Sequence, residues 1–223
     1  MDRFINLSAF QPENFLGHLP LWSLTINGYS TVMIFWNLLL AAVAVWLSYR
    51  LARAIEKKES VGLSLVVGLL WLLMLPNTAY IMTDGRHIIG YCPPEEFART
   101  CRDNAWMTLF FFAYAAVGWY SFVQALLPVT AAIGRRWKGS EVYAGLAGAI
   151  LSALGVMLGL VNRWNSWEVV TDPLGIFWTF WRSLGDLTYL RNWLIMSVLL
   201  YILFWVGQAV FRPINRRRLP FIN

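Results

Sequence analysis

Leu75-Pro76-Asn77-Thr78-Ala79-Tyr80-Ile81-Met82-Thr83-Asp84-Gly85-Arg86-His87 closes an apolar run that begins near Val61. The run is long enough to cross a bilayer, because about 20 apolar residues cover about 30 Å of hydrocarbon. Its end is more polar than a plain anchor needs. Asn77, Tyr80, Asp84 and His87 are spaced three, four and three residues apart, which puts them on one face of a helix. Pro76 removes one backbone hydrogen bond inside the run, so a carbonyl near Leu72 needs a partner from a neighbouring helix, a hydroxyl or water. A proline break followed by a polar stripe points to a site. The alternative is that these groups satisfy one another and hold helices together.

Of the 223 residues, 58% are hydrophobic and 13% are charged. Soluble domains carry about a quarter charged residues, so the balance is that of a membrane protein. Thirteen tryptophans, nine tyrosines and fourteen phenylalanines suit the headgroup zone. The net charge of +6 lies beside apolar runs, where it orients spans; no nucleic-acid partner is expected. No basic leader with a small-residue cleavage site opens the chain, so no cleaved signal peptide is expected.

Four further runs match the length of the first. The expected spans are residues 29–51, 61–83, 104–127 (stopped near Pro128), 142–161 and 192–211, with a polar loop over 84–103. Residues 1–28 mix Asp2, Arg3, Glu13 and His18 with aromatics and read as a segment on the membrane surface. Residues 29–211 then form a single transmembrane bundle domain, and 212–223 a basic cytoplasmic tail. In 170–191, Ile176, Phe177, Phe180, Trp181 and Leu184 recur at helical spacing, as in a short helix lying in the outer interface or over the polar cluster. Ala144, Gly148, Ser152, Gly155 and Gly159 mark span four for close packing, within the monomer or in a homo-oligomer.

Eleven Lys and Arg follow spans one, three and five, among them Arg53, Lys57, Lys58, Arg135, Arg136 and Arg216–Arg218. Seven lie on the other side, spread over more residues. The positive-inside rule therefore places the N-terminus outside and the C-terminus in the cytoplasm. The Asn77–His87 stripe then faces outward.

Span four ends in Asn162-Arg163-Trp164-Asn165-Ser166-Trp167-Glu168, on that same side. Together the two stretches gather Asn77, Tyr80, Asp84, His87, Arg163, Asn165 and Glu168 at one membrane depth. Arginine grips phosphate or carboxylate through parallel hydrogen bonds, and histidine beside a carboxylate exchanges protons near neutral pH. The expected ligand-binding residues are Asn77, Tyr80, Asp84, His87, Arg163 and Asn165, and the acid–base candidates are Asp84, His87 and Glu168. Alternatively, Arg163 pairs with Asp84 or Glu168 in a structural network. Asp84 and His87 lack a third ligand at a defined spacing, so no metal or cofactor is expected. Ser166 lacks a nucleophile-elbow setting. Cys92 and Cys101, both in the outer loop, are expected to form a disulfide there.

Trp71-Leu-Leu-Met-Leu-Pro-Asn-Thr-Ala-Tyr-Ile-Met-Thr-Asp84, with His87 following, resembles the Pro-Asn-x-x-Tyr-Ile-x-Thr-Asp stretch of a bacterial integral membrane family, domain of unknown function 1361. Arg163-Trp-Asn-Ser-Trp-Glu-Val is similar to that family's Arg-Trp-Asn-Ser-Trp-Asp signature, with Glu168 in place of aspartate. Phe35-Trp-Asn-Leu-Leu-Leu-Ala resembles its Trp-Asn-Leu-x-Leu-Ala motif. The resemblance covers about residues 30–210 and implies a bacterial multi-span membrane protein; it supplies no activity.

The expected fold is an all-α bundle of about five transmembrane helices plus interfacial helices, in the bacterial inner membrane. The expected function is an outward-facing polar site for an anionic amphiphile, a lipid or lipid-linked phosphate, with membrane lipids as partners. Two rivals stay open. One is a membrane-embedded enzyme using Asp84 and His87 as acid and base. The other is a transport or envelope-assembly subunit, although no internal repeat of the transporter kind is visible.

Overall fold

The computed structural model describes residues 25–26, 29–91, 97–166 and 168–211, the backbone alone for 90–91 and 97–104. The surface segment before residue 25, the basic tail 212–223, Cys92 and the side chain of Cys101, and so the expected Cys92–Cys101 bridge, lie outside what is described. A two-residue strand pair, β1 (Thr25–Ile26) with β2 (Tyr29–Ser30), runs antiparallel into the first helix. Helix α1 spans Thr31–Glu56 and α2 Val61–Thr83. A 3₁₀ turn (Asp84–His87) and α3 (Ile88–Tyr91) follow. Then come α4 (Phe97–Arg136), α5 (Ser140–Leu160), α6 (Glu168–Thr171), α7 (Pro173–Ser183) and α8 (Leu187–Val210).

Five of these are long and apolar enough to cross a membrane: Thr31–Glu56, Val61–His87, Ala105–Arg136, Ser140–Leu160 and Leu187–Val210. The protein is an all-α, multi-pass membrane protein. α2 and α4 sit centrally: α2 packs on α1, α4 and α5, and α4 touches each of the other four spans. Leu47, Leu75, Phe122, Leu126, Val156 and Phe204 meet in the main core. In lipid, burying such side chains supplies little, since acyl chains are equally apolar; close approach and hydrogen bonds hold helices together. Gly148 leaves room for Leu126, and Gly155 lies against the Pro76 ring. The small-residue face of span four is thus used inside the monomer. Indole N–H groups staple the spans through backbone carbonyls: Trp71 to Ala125 O (2.8 Å), Trp119 to Leu203 O (2.8 Å) and Trp193 to Ile150 O (3.1 Å).

Neither proline ends its helix. Pro128 was expected to stop span three, yet α4 continues to Arg136. The proline leaves the carbonyl four residues back, that of Gln124, without its helical donor. Ser48 of α1 supplies a hydroxyl 3.2 Å from that oxygen, so a neighbouring helix makes good the loss. At Pro76, Asn77 Nδ2 donates to Met74 O (3.0 Å) and Thr78 Oγ1 to Leu75 O (2.7 Å). These partners lie two and three residues beyond the Leu72 carbonyl expected to need one.

The segment expected as a polar loop over 84–103 is helical through Tyr91 and again from Phe97. The short helix expected within 170–191 is α7, started by Asp172, whose carboxylate accepts from the Gly175 N–H at 2.9 Å, with Pro173 at its first turn. Its apolar residues split into two sets. Phe180 packs on Trp193, with ring centroids 6.0 Å apart, while Phe177, Trp178 and Trp181 are exposed as in an interfacial helix.

Candidate functional site

At the end of the bundle where α2 finishes and α5 turns into α6, three stretches of chain surround a cavity of about 230 Å³. α1 contributes Trp36 and Asn37, α2 contributes Pro76, Asn77 and Tyr80, and the turn after α5 contributes Arg163, Trp164, Asn165 and Ser166. The turn is pinned from both sides. Asn77 Nδ2 donates to Ser166 Oγ at 3.0 Å, tying it to α2. Glu168 folds back on Asn165, its Oε2 accepting from the Asn165 backbone N–H (2.5 Å) and from Nδ2 (3.1 Å). The Glu168 carboxylate is thus engaged in bracing the turn.

Arg163 is the unusual member. Its backbone is left-handed, φ 63°, where a side chain costs about 1 kcal/mol and glycine would sit without strain. The Trp164 N–H reaches back to Leu158 O at 3.1 Å, closing the helix end one residue wider than a Schellman motif, around a left-handed residue of the kind that is most often glycine at helix ends. Arg163 is exposed there and lines the cavity. Among the described residues no carboxylate or carbonyl accepts from it. A second cation stands nearby: Arg86 Nη2 donates to the Tyr80 hydroxyl (3.3 Å), and its guanidinium carbon lies 5.8 Å from the Tyr80 ring centroid.

Asp84 and His87 lie beside this cavity and do not line it. The Asp84 side chain is buried, the residue only 2% exposed. Its Oδ2 accepts from Tyr29 OH at 3.2 Å and from Asn37 Nδ2 at 3.4 Å. His87 Nε2 lies 3.8 Å from Oδ1, with its ring 5.2 Å from that of Tyr29. Burial, and then the adjacent Asp84 carboxylate, push the Tyr29 hydroxyl above its ordinary value and keep it a donor. The geometry brings Asn77, Tyr80, Arg163 and Asn165 together, and sets Asp84 and His87 behind Asn37. Asn37 touches both groups, donating to Asp84 and lining the cavity. No ion pair joins Arg163 to Asp84 or Glu168. Among the described residues no three His, Cys, Asp or Glu side chains gather as metal ligands would.

A family model described as a protein of unknown function, DUF1361, matches residues 36–206. The chain belongs to the DUF1361 family. Comparison with curated proteins and with solved structures gives no match. The DUF1361 region opens at Trp36 and takes in every cavity residue named above.

Trp36, Asn37, Arg86 and Ser166 belong to the neighbourhood of the site without having been singled out as site residues. The first two stood in the Phe35-Trp-Asn stretch already notable for its resemblance, and an asparagine within an apolar run is itself a signal. Arg86 sits one residue before His87, among loop charges that had been used only for orientation.

Proposed function

We propose that the cavity is an outward-facing binding site for the anionic group of a membrane lipid or lipid-linked phosphate, in a protein of the bacterial inner membrane. The observation that carries this reading is Arg163: a strained backbone presents its guanidinium, without a carboxylate partner among the described residues, to a cavity at the end of the spans. An exposed cation at that depth attracts a counter-charge, and a phosphate fits its planar fork. The amides of Asn37 and Asn165 and the hydroxyls of Tyr80 and Ser166 supply neutral hydrogen-bonding groups around the same space.

The test is thermal unfolding of the detergent-purified protein with added phosphatidylglycerol or phosphatidylcholine. A ligand held only by the folded state at one hundred times its Kd stabilises by about 2.7 kcal/mol. The anionic lipid is expected to raise Tm for the parent and not for Arg163→Gln, with the zwitterionic lipid giving neither shift. Equal shifts for parent and variant would refute the reading.

The outward direction rests on the basic residues after spans one, three and five. A fluorescent protein that matures only in the cytoplasm is expected to glow when fused after Asn223. A dark but inserted fusion, with a periplasmic reporter active at the same place, would reverse the orientation.

A further inference from the structure

A second cavity, of about 210 Å³, lies against the first and shares Pro76, Gly155, Trp164, Asn165 and Ser166 with it. Its character is different. Away from the shared wall it is lined by Leu72 and Leu73 of α2, Leu151, Leu154 and Leu158 of α5, and Ile176 of α7. Leu151 of α5, on its margin, is exposed on the bundle surface, which for a spanning helix is the surface lipid covers. From Leu158 to Leu151 the α5 wall descends about 10 Å at 1.5 Å per residue. That is most of one leaflet's hydrocarbon, about 15 Å of the roughly 30 Å core. The structure therefore sets a polar cavity lined by an exposed cation beside an apolar groove running toward the bilayer centre, the two meeting at the Trp164–Ser166 turn.

We infer that the groove between α2 and α5 holds the hydrocarbon chain of the same molecule whose anionic group meets Arg163, so that the ligand is a bilayer lipid entering sideways and not a water-soluble anion. This rests on the reading of the Arg163 cavity as an anion site and narrows its substrate class. Charge complementarity at one side and adjacency along the shared Trp164–Ser166 turn commit the occupant: a phosphate-bearing lipid seated head outward. Ile176 lines the groove from α7, whose exposed Phe177, Trp178 and Trp181 suit the headgroup layer where such a lipid would enter.

The experiment measures binding of glycerol 3-phosphate, dioctanoyl phosphatidic acid and dioleoyl phosphatidic acid to the full chain in a neutral detergent, by native mass spectrometry and by Tm. The parent is expected to bind the two lipids at least about tenfold more tightly than the bare headgroup, because the chain makes close packing contacts with the groove wall that glycerol 3-phosphate lacks. Leu154→Trp fills the groove and is expected to reduce lipid binding to the level of glycerol 3-phosphate while leaving the latter unchanged. Leu73→Trp, from the opposite wall, makes the same test should Leu154→Trp fail to fold. Equal affinity of the parent for headgroup and lipids, or lipid affinity unchanged in a folded groove-filled variant, would overturn the groove proposal and leave the anion site standing. Binding of all three ligands that is indifferent to Arg163→Gln would remove the anion site itself, and with it this inference.

Discussion

Arg163→Gly is expected to leave the bundle as stable as the parent, or more so, while weakening anionic-lipid binding by roughly 10–100-fold, the loss of about 1.5–3 kcal/mol that follows removal of a hydrogen bond to a charged group. The two halves of this result come from one residue. At φ 63° a side chain is strained and glycine is not, so the backbone gains up to about 1 kcal/mol, or roughly 2–4 °C in Tm for a chain of this size. No hydrogen bond or ion pair to another described residue is lost, because none is made. A merely structural arginine would behave the other way. A Tm several degrees lower, with lipid binding intact, would assign Arg163 to the scaffold.

Gly155→Val is expected to be the most damaging small change in the membrane-spanning part. A β-carbon at Gly155 would stand 2.3 Å from Pro76 Cγ and 2.6 Å from its Cβ. The proline ring is fixed to the α2 backbone and cannot rotate away, so the helices must separate. Overpacking of this kind costs about 1–3 kcal/mol, which lowers Tm by roughly 2–12 °C. Lipid binding should fall with it, because Pro76 and Gly155 wall both the polar cavity and the groove. Gly62→Ala is the matched control: nothing lies within 4 Å of a β-carbon there, and Tm should hold or rise slightly. A Gly155→Val protein melting within about 1 °C of the parent would contradict the close α2–α5 approach.

The five spans were legible because bilayer thickness imposes a length and an apolar composition that a single chain displays without its neighbours. Residues 61–83 match α2 end to end. What eluded sequence reading depended on partners from elsewhere in the chain. Pro128 looks like a stop until Ser48, eighty residues earlier, is seen offering its hydroxyl to the Gln124 carbonyl. The stripe Asn77, Tyr80, Asp84 and His87 follows from helical spacing, but its division does not. Tyr29 and Asn37 take up Asp84, and only Asn77 and Tyr80 are left to face the cavity. Periodicity places residues on a face without saying which neighbour that face meets. Arg163 was readable as a cation near the polar stripe; its left-handed backbone was not, because nothing in Asn162-Arg163-Trp164 announces a glycine-like turn.

The most direct test of the central claim is a cryo-electron microscopy map of the protein in nanodiscs containing phosphatidylglycerol, read at the Arg163 cavity. The predicted result is non-protein density whose phosphate lies about 3 Å from the Arg163 guanidinium, between Tyr80 and Asn165. An Arg163 side chain paired with a carboxylate of the protein, beside a cavity holding no such density, would contradict it.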